Sequence, residues 1–402
     1  MNGPVIGSWS QLEAQSDGGG AADTAARPCP RDIWGNSFVY DGALYVFGGA
    51  WERYGQSSQW REHGCLGGGD DLWRFDPSRQ RWELLEEDSW SLAYGPDAER
   101  PGSRFLGAWS VVGEFAYLFG GLAVLEPGFV LRALNDLWRL HVPTGRWELI
   151  HPDTGWCNFA NRPSHPPIRG GHRMVAVDQY LYLFGGWPGT VPVFTVNDLW
   201  RFDTGSARWD QCRPWQGAAH DAGYTSTATY PGPRYCFNLW EHDGTLVLFS
   251  GRDTGAKEPE FFNDLWRYEP ERDRWTLLYP SDGHTDFGLR AGVPAGRYGS
   301  GHTRLGDYAY LFGGHNGTAT RVERNDFWRL HLPTQRWQQL APDEGSTDYG
   351  PQARYPGTRR VPVLEAIGSA LYLFGGINCF MGPRTAGYSL PLNDLWRFEL
   401  VP

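Results

Sequence analysis

Short apolar runs such as Leu181-Tyr182-Leu183-Phe184 recur along the chain, and each ends in a glycine doublet or its near equivalent. The doublets are Gly48-Gly49, Gly120-Gly121, Gly185-Gly186, Ser250-Gly251, Gly313-Gly314 and Gly375-Gly376. A second signature, Asn-Asp-Leu-Trp-Arg or a close variant, follows each of them, beginning at Asp70, Asn135, Asn197, Asn263, Asn325 and Asn393. Nine residues beyond the Trp of each of the first five blocks stands another: Trp82, Trp147, Trp209, Trp275 and Trp337. Period-two alternation bounded by Gly, Asp-Gly and Thr-Gly punctuation predicts four short antiparallel strands per unit.

A sheet of four short strands cannot bury both faces alone, so six such units must stack on one another, and a ring leaves only short, protected edges. The sixth block, with Trp396, has no downstream Trp partner, whereas Ser8-Trp9-Ser10-Gln11-Leu12 has the pattern of the absent strand. The expectation is one all-β domain over residues 1–402: a six-bladed β-propeller whose last blade, residues 359–400, is closed by residues 7–13.

Arg169-Gly170-Gly171-His172, the Gly-Gly after each second strand and the paired Trp of the third and fourth strands resemble the Kelch family. The likeness covers nearly the whole chain, although the spacing of 62 to 72 residues exceeds the roughly 50 usual for Kelch units. It implies the six-bladed propeller and leaves function open, since Kelch propellers serve as adaptors, scaffolds and enzymes.

Composition narrows the partners. A net charge of −10 argues against nucleic acid as a partner, and no apolar stretch or basic leader predicts a membrane span or signal peptide, so the expectation is a cytoplasmic protein. The single lysine, Lys257, lies in a polar loop and argues against lysine chemistry. The six cysteines, without C-x-x-C spacing, read as free thiols. Three of them, Cys29, Cys65 and Cys379, fall in loops of the first and last units.

Antiparallel order places the loops between second and third strands on the same face as the connections between blades, and the extra length of the chain lies there. Residues repeated in every unit, including the block Asp (Asp71, Asp136, Asp198, Asp264, Asp326, Asp394), serve blade packing. Tyr94, Phe159, Tyr224, Phe287 and Tyr349, each ten residues before an arginine, read as loop anchors. Those arginines, Arg104, Arg169, Arg234, Arg297 and Arg359, open the innermost strands. They either pair with nearby acids or form an electropositive mouth for a carboxylate, phosphate or acidic peptide, and the resemblance favours the mouth for at least two of them.

Departures from the repeat concentrate in the first and sixth units. Counting back from Gly48 puts Asp32 in the arginine position, and the loop after Gly49 carries Trp51, Tyr54, Trp60, His63 and Cys65. The sixth unit has Glu365 in its inner strand and Asn378, Cys379, Arg384 and Tyr388 in its loop. The sequence therefore predicts a binding module for an anionic small molecule or acidic peptide, held by the arginines, Arg360, Trp51, Trp60, Asp32 and Tyr388 beside the junction of units six and one. The alternative is a small-molecule isomerase, lyase or cyclase with Glu365 or His63 as acid/base and Arg359 and Arg360 orienting an anion. No cofactor is specified. The Kelch resemblance includes the plant specifier proteins, which use iron with the pattern Glu-x-x-x-Asp-x-x-x-His; Glu260 and Asp264 keep its first spacing but Tyr268 takes the His place, and no histidine pair here has strong metal-ligand spacing. Six loop tryptophans outside the repeat, Trp51, Trp60, Trp90, Trp156, Trp187 and Trp215, must cover one another or a ligand.

Overall fold

The chain is a six-bladed β-propeller of four-stranded antiparallel blades. The computed structural model describes residues 7–15, 27–31, 35–51, 67–89, 91–125, 130–159, 164–189, 194–215, 227–253, 260–282, 292–317, 323–378 and 390–401. Contacts divide the chain into two compact units, one of residues 1–89, 286–294 and 299–402 and the other of residues 90–285 and 295–298. No helix among the described residues is long and apolar enough to cross a membrane.

The first unit holds three blades. Blade one contains β2 (Ser37–Tyr40), β3 (Ala43–Trp51), β4 (Gly67–Asp76) and β5 (Arg81–Glu86) in that order. Blade five runs β20 (Gly301–Leu305), β21 (Tyr308–His315), β22 (Glu323–His331) and β23 (Arg336–Ala341). Blade six consists of β24 (Val363–Ile367), β25 (Ala370–Asn378), β26 (Leu390–Leu400) and, outermost, β1 (Gly7–Glu13).

The closing strand sits where the alternation of the first residues placed it. Trp9 lies opposite Phe398, as Trp82 lies opposite Phe75 in blade one and Trp337 opposite Leu330 in blade five. Its ring packs against Phe312 of blade five at 5.7 Å, the counterpart of Trp82 against Phe374 of blade six at 4.8 Å. Asn393 strengthens the closure, its backbone N–H donating to Gln15 Oε1 and its side chain to the Pro28 carbonyl.

The second unit holds blades two, three and four: β6 (Ala108–Val112) to β9 (Arg146–His151), β10 (Arg173–Val177) to β13 (Arg208–Arg213), and β14 (Asn238–His242), β15 (Thr245–Phe249), β18 (Leu265–Glu269) and β19 (Arg274–Tyr279). A two-stranded ribbon, β16 (Arg252–Asp253) with β17 (Glu260–Phe261), extends blade four.

The core lies between blades rather than within them. In the second unit Tyr117, Phe119 and Leu137 of blade two join Leu181, Leu183, Trp200 and Trp209 of blade three. In the first, Leu44, Val46, Trp73 and Trp82 of blade one join Tyr372, Phe374 and Leu395 of blade six. Alternation along each strand sends one set of side chains to each neighbour, which is why no blade folds alone.

The glycine doublet has a steric cause. At Gly185, φ is +66° and a Cβ would lie 2.8 Å from the carbonyl oxygen of Arg234 in the next blade. The following N–H groups then bridge blades: Gly121 to the Arg169 carbonyl, Gly186 to that of Arg234 and, in the first unit, Gly314 to that of Arg359, at 2.9–3.0 Å. Left-handed backbone at close approach selects glycine.

Candidate functional site

The arginines that open the inner strands are side chains of the scaffold. Arg169 is fully buried; Nη1 donates to Asp198 Oδ1 at 2.7 Å and to the Gly185 carbonyl, Nη2 donates to Asp198 Oδ2, and Nε donates to the Pro167 carbonyl. Asp198 also accepts from Trp200 Nε1. The same network joins Arg104 to Asp136, Arg234 to Asp264 and Arg359 to Asp394. Arg297 is likewise fully buried, with Nε on the Ala295 carbonyl. The expected arginine mouth is therefore corrected: each of these bidentate guanidinium groups is fully buried and directs four of its five N–H donors at an acid and two carbonyls, so none is presented to a ligand.

Blade one obeys the same rule one residue away from the counted position. Arg31, not Asp32, fills the slot, donating to Asp71 at 2.6 and 2.8 Å and to the Gly48 carbonyl. The interval from Arg31 to Gly48 is 17 residues against 16 from Arg169 to Gly185, so one inserted residue displaced the count. Its Nη2 also donates to Cys29 Sγ at 3.0 Å. Asp32 itself lies outside the described residues.

Trp60, His63, Cys65, Cys379, Arg384, Tyr388 and Trp90 lie outside the described residues, as does the side chain of Trp51. Glu365 is half-buried on β24, and the hydroxyl of Ser37 in blade one donates to its Oε1 at 2.9 Å. Arg359, expected to orient an anion beside it, is held by Asp394. Arg360 instead points its Nε toward Glu323 Oε1, 3.9 Å away.

The loop aromatics pack as anchors where they are described. The Tyr94 hydroxyl donates to the Ser103 carbonyl and that of Tyr349 to the Thr358 carbonyl, while Phe159 lies under the Arg169 guanidinium. Tyr224 and Phe287 are outside the described residues. Three loop tryptophans cover neighbouring rings: Trp215 stacks on Phe194 at 5.3 Å, Trp156 tilts over His165, and Trp187 lies beside Tyr235.

What counting along loops missed is a rim just beyond the glycine doublets. There, in five of the six blades, the first residue after the doublet faces a cross-strand partner: Ala50 with Gly68, Leu122 with Ala133, Arg252 with Phe261, His315 with Glu323, and Ile377 with Pro391. Blades one, two and six spend small or apolar residues there. Blades four and five place charge and imidazole. Aligning the six units on their doublets exposes this difference without a structure.

In the second unit the rim of blade four forms an aromatic platform. The Arg252 guanidinium lies 5.5 Å over the Phe261 ring and 5.6 Å over that of Tyr298. Tyr235 tilts its ring 5.6 Å from Tyr298, and its hydroxyl lies 3.4 Å from Arg252 Nη1. The adjacent Asp253 is buried and bonded by the Thr195 hydroxyl. Among the described residues no carboxylate pairs with Arg252.

In the first unit, blade five carries the polar rim. His315 Nδ1 is 3.3 Å from Glu323 Oε1, and because a carboxylate only accepts, the ring donates through Nδ1. Arg324 beside it is neutralised by Asp343 at 3.0 Å. No group of three or more metal-binding side chains occurs among the described residues.

The fold is a six-bladed β-propeller whose repeats are similar to Kelch units. The Kelch motif model matches residues 168–214 and 296–343, one stretch in blade three and one in blade five. The chain is 26% identical to Kelch domain-containing protein 10 of Xenopus tropicalis, over 58% of its own length and 50% of the relative's. It is 26% identical to an F-box/kelch-repeat protein of Arabidopsis thaliana over 94% of this chain and 73% of the relative. Kelch domain-containing protein 3 of Bos taurus matches at 26% over 72% of this chain and 66% of that protein. The chain thus spans about half the length of the first of these relatives.

Proposed function

We propose that this propeller is a cytoplasmic interaction module that binds an anionic or amphipathic partner, such as an acidic peptide, at the long-loop rim of blade four. The Kelch propeller is generally a protein-interaction fold, and the chemistry of the rim supplies the specificity. Arg252 carries the reading. A guanidinium resting on two rings is restrained without being neutralised, so its positive charge remains available to a carboxylate or phosphate, unlike the paired arginines below it. Trp187 and Tyr235 beside it add half-buried aromatic surface, the composition favoured at contact surfaces.

Fluorescence anisotropy on a panel of labelled peptides, matched in aromatic content and differing in Asp and Glu, tests the proposal. Acidic members should bind with a dissociation constant that rises with salt, and Arg252→Ala should weaken them about tenfold or more, as expected for a charged hydrogen bond worth about 1.5–3 kcal/mol. Equal binding of neutral and acidic peptides, or an Arg252→Ala protein that binds as wild type, would refute it.

A further inference from the structure

We infer that the acidic peptide bound at this rim carries an aromatic side chain one or two positions from its acid, and that Trp187 receives that ring while Arg252 holds the acid. This rests on the reading of Arg252 above and supplies the second half of the same surface. At the rim of blade three the backbone N–H and carbonyl of Trp187 both pair with Gly170 at 2.8 Å. Arg252 is bridged to Tyr235 in the same way in blade four, and Leu122 to Phe105 in blade two. The three side chains therefore start from equivalent positions in consecutive blades of one compact unit.

What the three positions present differs. Ala50, Leu122 and Ile377 fill them in blades one, two and six and are almost completely buried, so the fold does not call for an indole or a guanidinium there. Trp187 and Arg252 are only half-buried. Beside each rim residue lies the one that follows the next blade's belt arginine: Gly170 against Leu122, Tyr235 with its ring centroid 6.5 Å from that of Trp187, and Tyr298 under Arg252. Because the Tyr235 hydroxyl also lies 3.4 Å from Arg252 Nη1, indole and guanidinium flank a single tyrosine. Side chains one or two positions apart in an extended peptide are offset by about 3–7 Å along the chain, the scale of that one side chain.

The indole selects what meets it. Its Nε1 is buried, so the part of the ring open to solvent is hydrocarbon and offers no hydrogen bond. A partner is then chosen by area and ring packing, and aromatic pairs gain beyond the area they bury, which favours Phe, Tyr or Trp over an aliphatic chain. A ring seated there also keeps water from the adjacent ion pair on Arg252 and strengthens it.

Fluorescence anisotropy on the whole chain tests this with labelled peptides of equal length and charge. One has Phe two positions from a Glu, another has Ser in place of that Phe, and a third has the composition of the first with the Phe moved to the far end. Wild type should prefer the first peptide over the others by about fivefold, and Trp187→Ala should bring that ratio to about one. Thermal midpoints are measured alongside, and Trp187→Leu, the side chain that blade two already packs at this position, should lower the ratio without disturbing the fold. Equal, salt-dependent binding of all three peptides to wild type would overturn the aromatic subsite and leave the reading of Arg252 standing. Salt-independent binding, or none, would overturn both. A preference for the first peptide that survives in folded Trp187→Ala would refute the role of Trp187.

Discussion

Replacing Arg169 with Ala separates a structural belt from a ligand-binding mouth. The substitution removes both bonds to Asp198, leaving a carboxylate that is 1% exposed with Trp200 Nε1 as its remaining described donor. It also strips donors from the carbonyls of Gly185 and Pro167. Breaking one partner of a buried ion pair costs about 3–5 kcal/mol. With an unfolding entropy of about 2.1 cal/mol/K per residue, a cooperative transition of all 402 residues would lower its midpoint by about 4–6 °C. If the two compact units melt separately, the one containing blade three should fall by about twice that.

Scanning calorimetry reads both outcomes directly. The double variant Arg169→Met with Asp198→Leu should be less destabilised than the sum of its single substitutions, because it leaves no orphaned charge. Acidic-peptide binding by folded Arg169→Ala should match wild type. A midpoint shift below 1 °C would refute the belt, and lost peptide binding at an unchanged midpoint would restore an open arginine mouth.

Deleting residues 1–13 should expose the edge of β26 and the faces of Phe312, Phe327 and Phe398 that Trp9 covers, giving aggregation on size-exclusion chromatography; a monomer with unchanged melting would contradict the closure. Gly185→Ala should cost about 1–3 kcal/mol in urea unfolding, whereas Ser250→Gly should be close to neutral, because Ser250 already tolerates φ of +67° and its hydroxyl meets the Asn238 side chain. Burial, aided by Arg169 and Arg173, holds the His172 pKa well below 6.5, and burial lowers those of His151 and His165. The unfolded chain therefore binds these protons first, so stability should fall as pH drops below about 6.5, and His172→Phe should flatten that decline in a pH series of urea midpoints.

Most of the fold was legible because the blades repeat. Trp9 could be assigned to an outer strand before any contact was known, since five other units showed what such a strand contains. The block Asp was read as scaffold on the same ground, and its pairing with both Arg and Trp bears that out. The arginines were harder. A sequence shows a cation at the start of an inner strand but not whether an acid about 30 residues later lies within 2.7 Å of it. Arg31 escaped because a single inserted residue shifts the count, and spacing has no way of telling an insertion from a substitution.

The two kinds of irregularity in this chain have different physical origins. At the junction of blades six and one the ends of the chain must meet: Gln15 Nε2 donates to the Pro391 carbonyl, the Arg31 N–H to that of Leu392, and Asn393 to that of Pro28. Bonds that elsewhere join consecutive segments are here made across nearly the full length of the chain, which accounts for an altered slot without invoking a ligand. The rim pair of blade four lies in uninterrupted sequence, where closure asks nothing of it. Charge placed there at Arg252 gains no packing that Leu122 does not already provide in blade two. Among repeats held by a common buried belt, an ionic residue at the first position beyond it is thus a stronger sign of recognition than an enlarged loop at the seam.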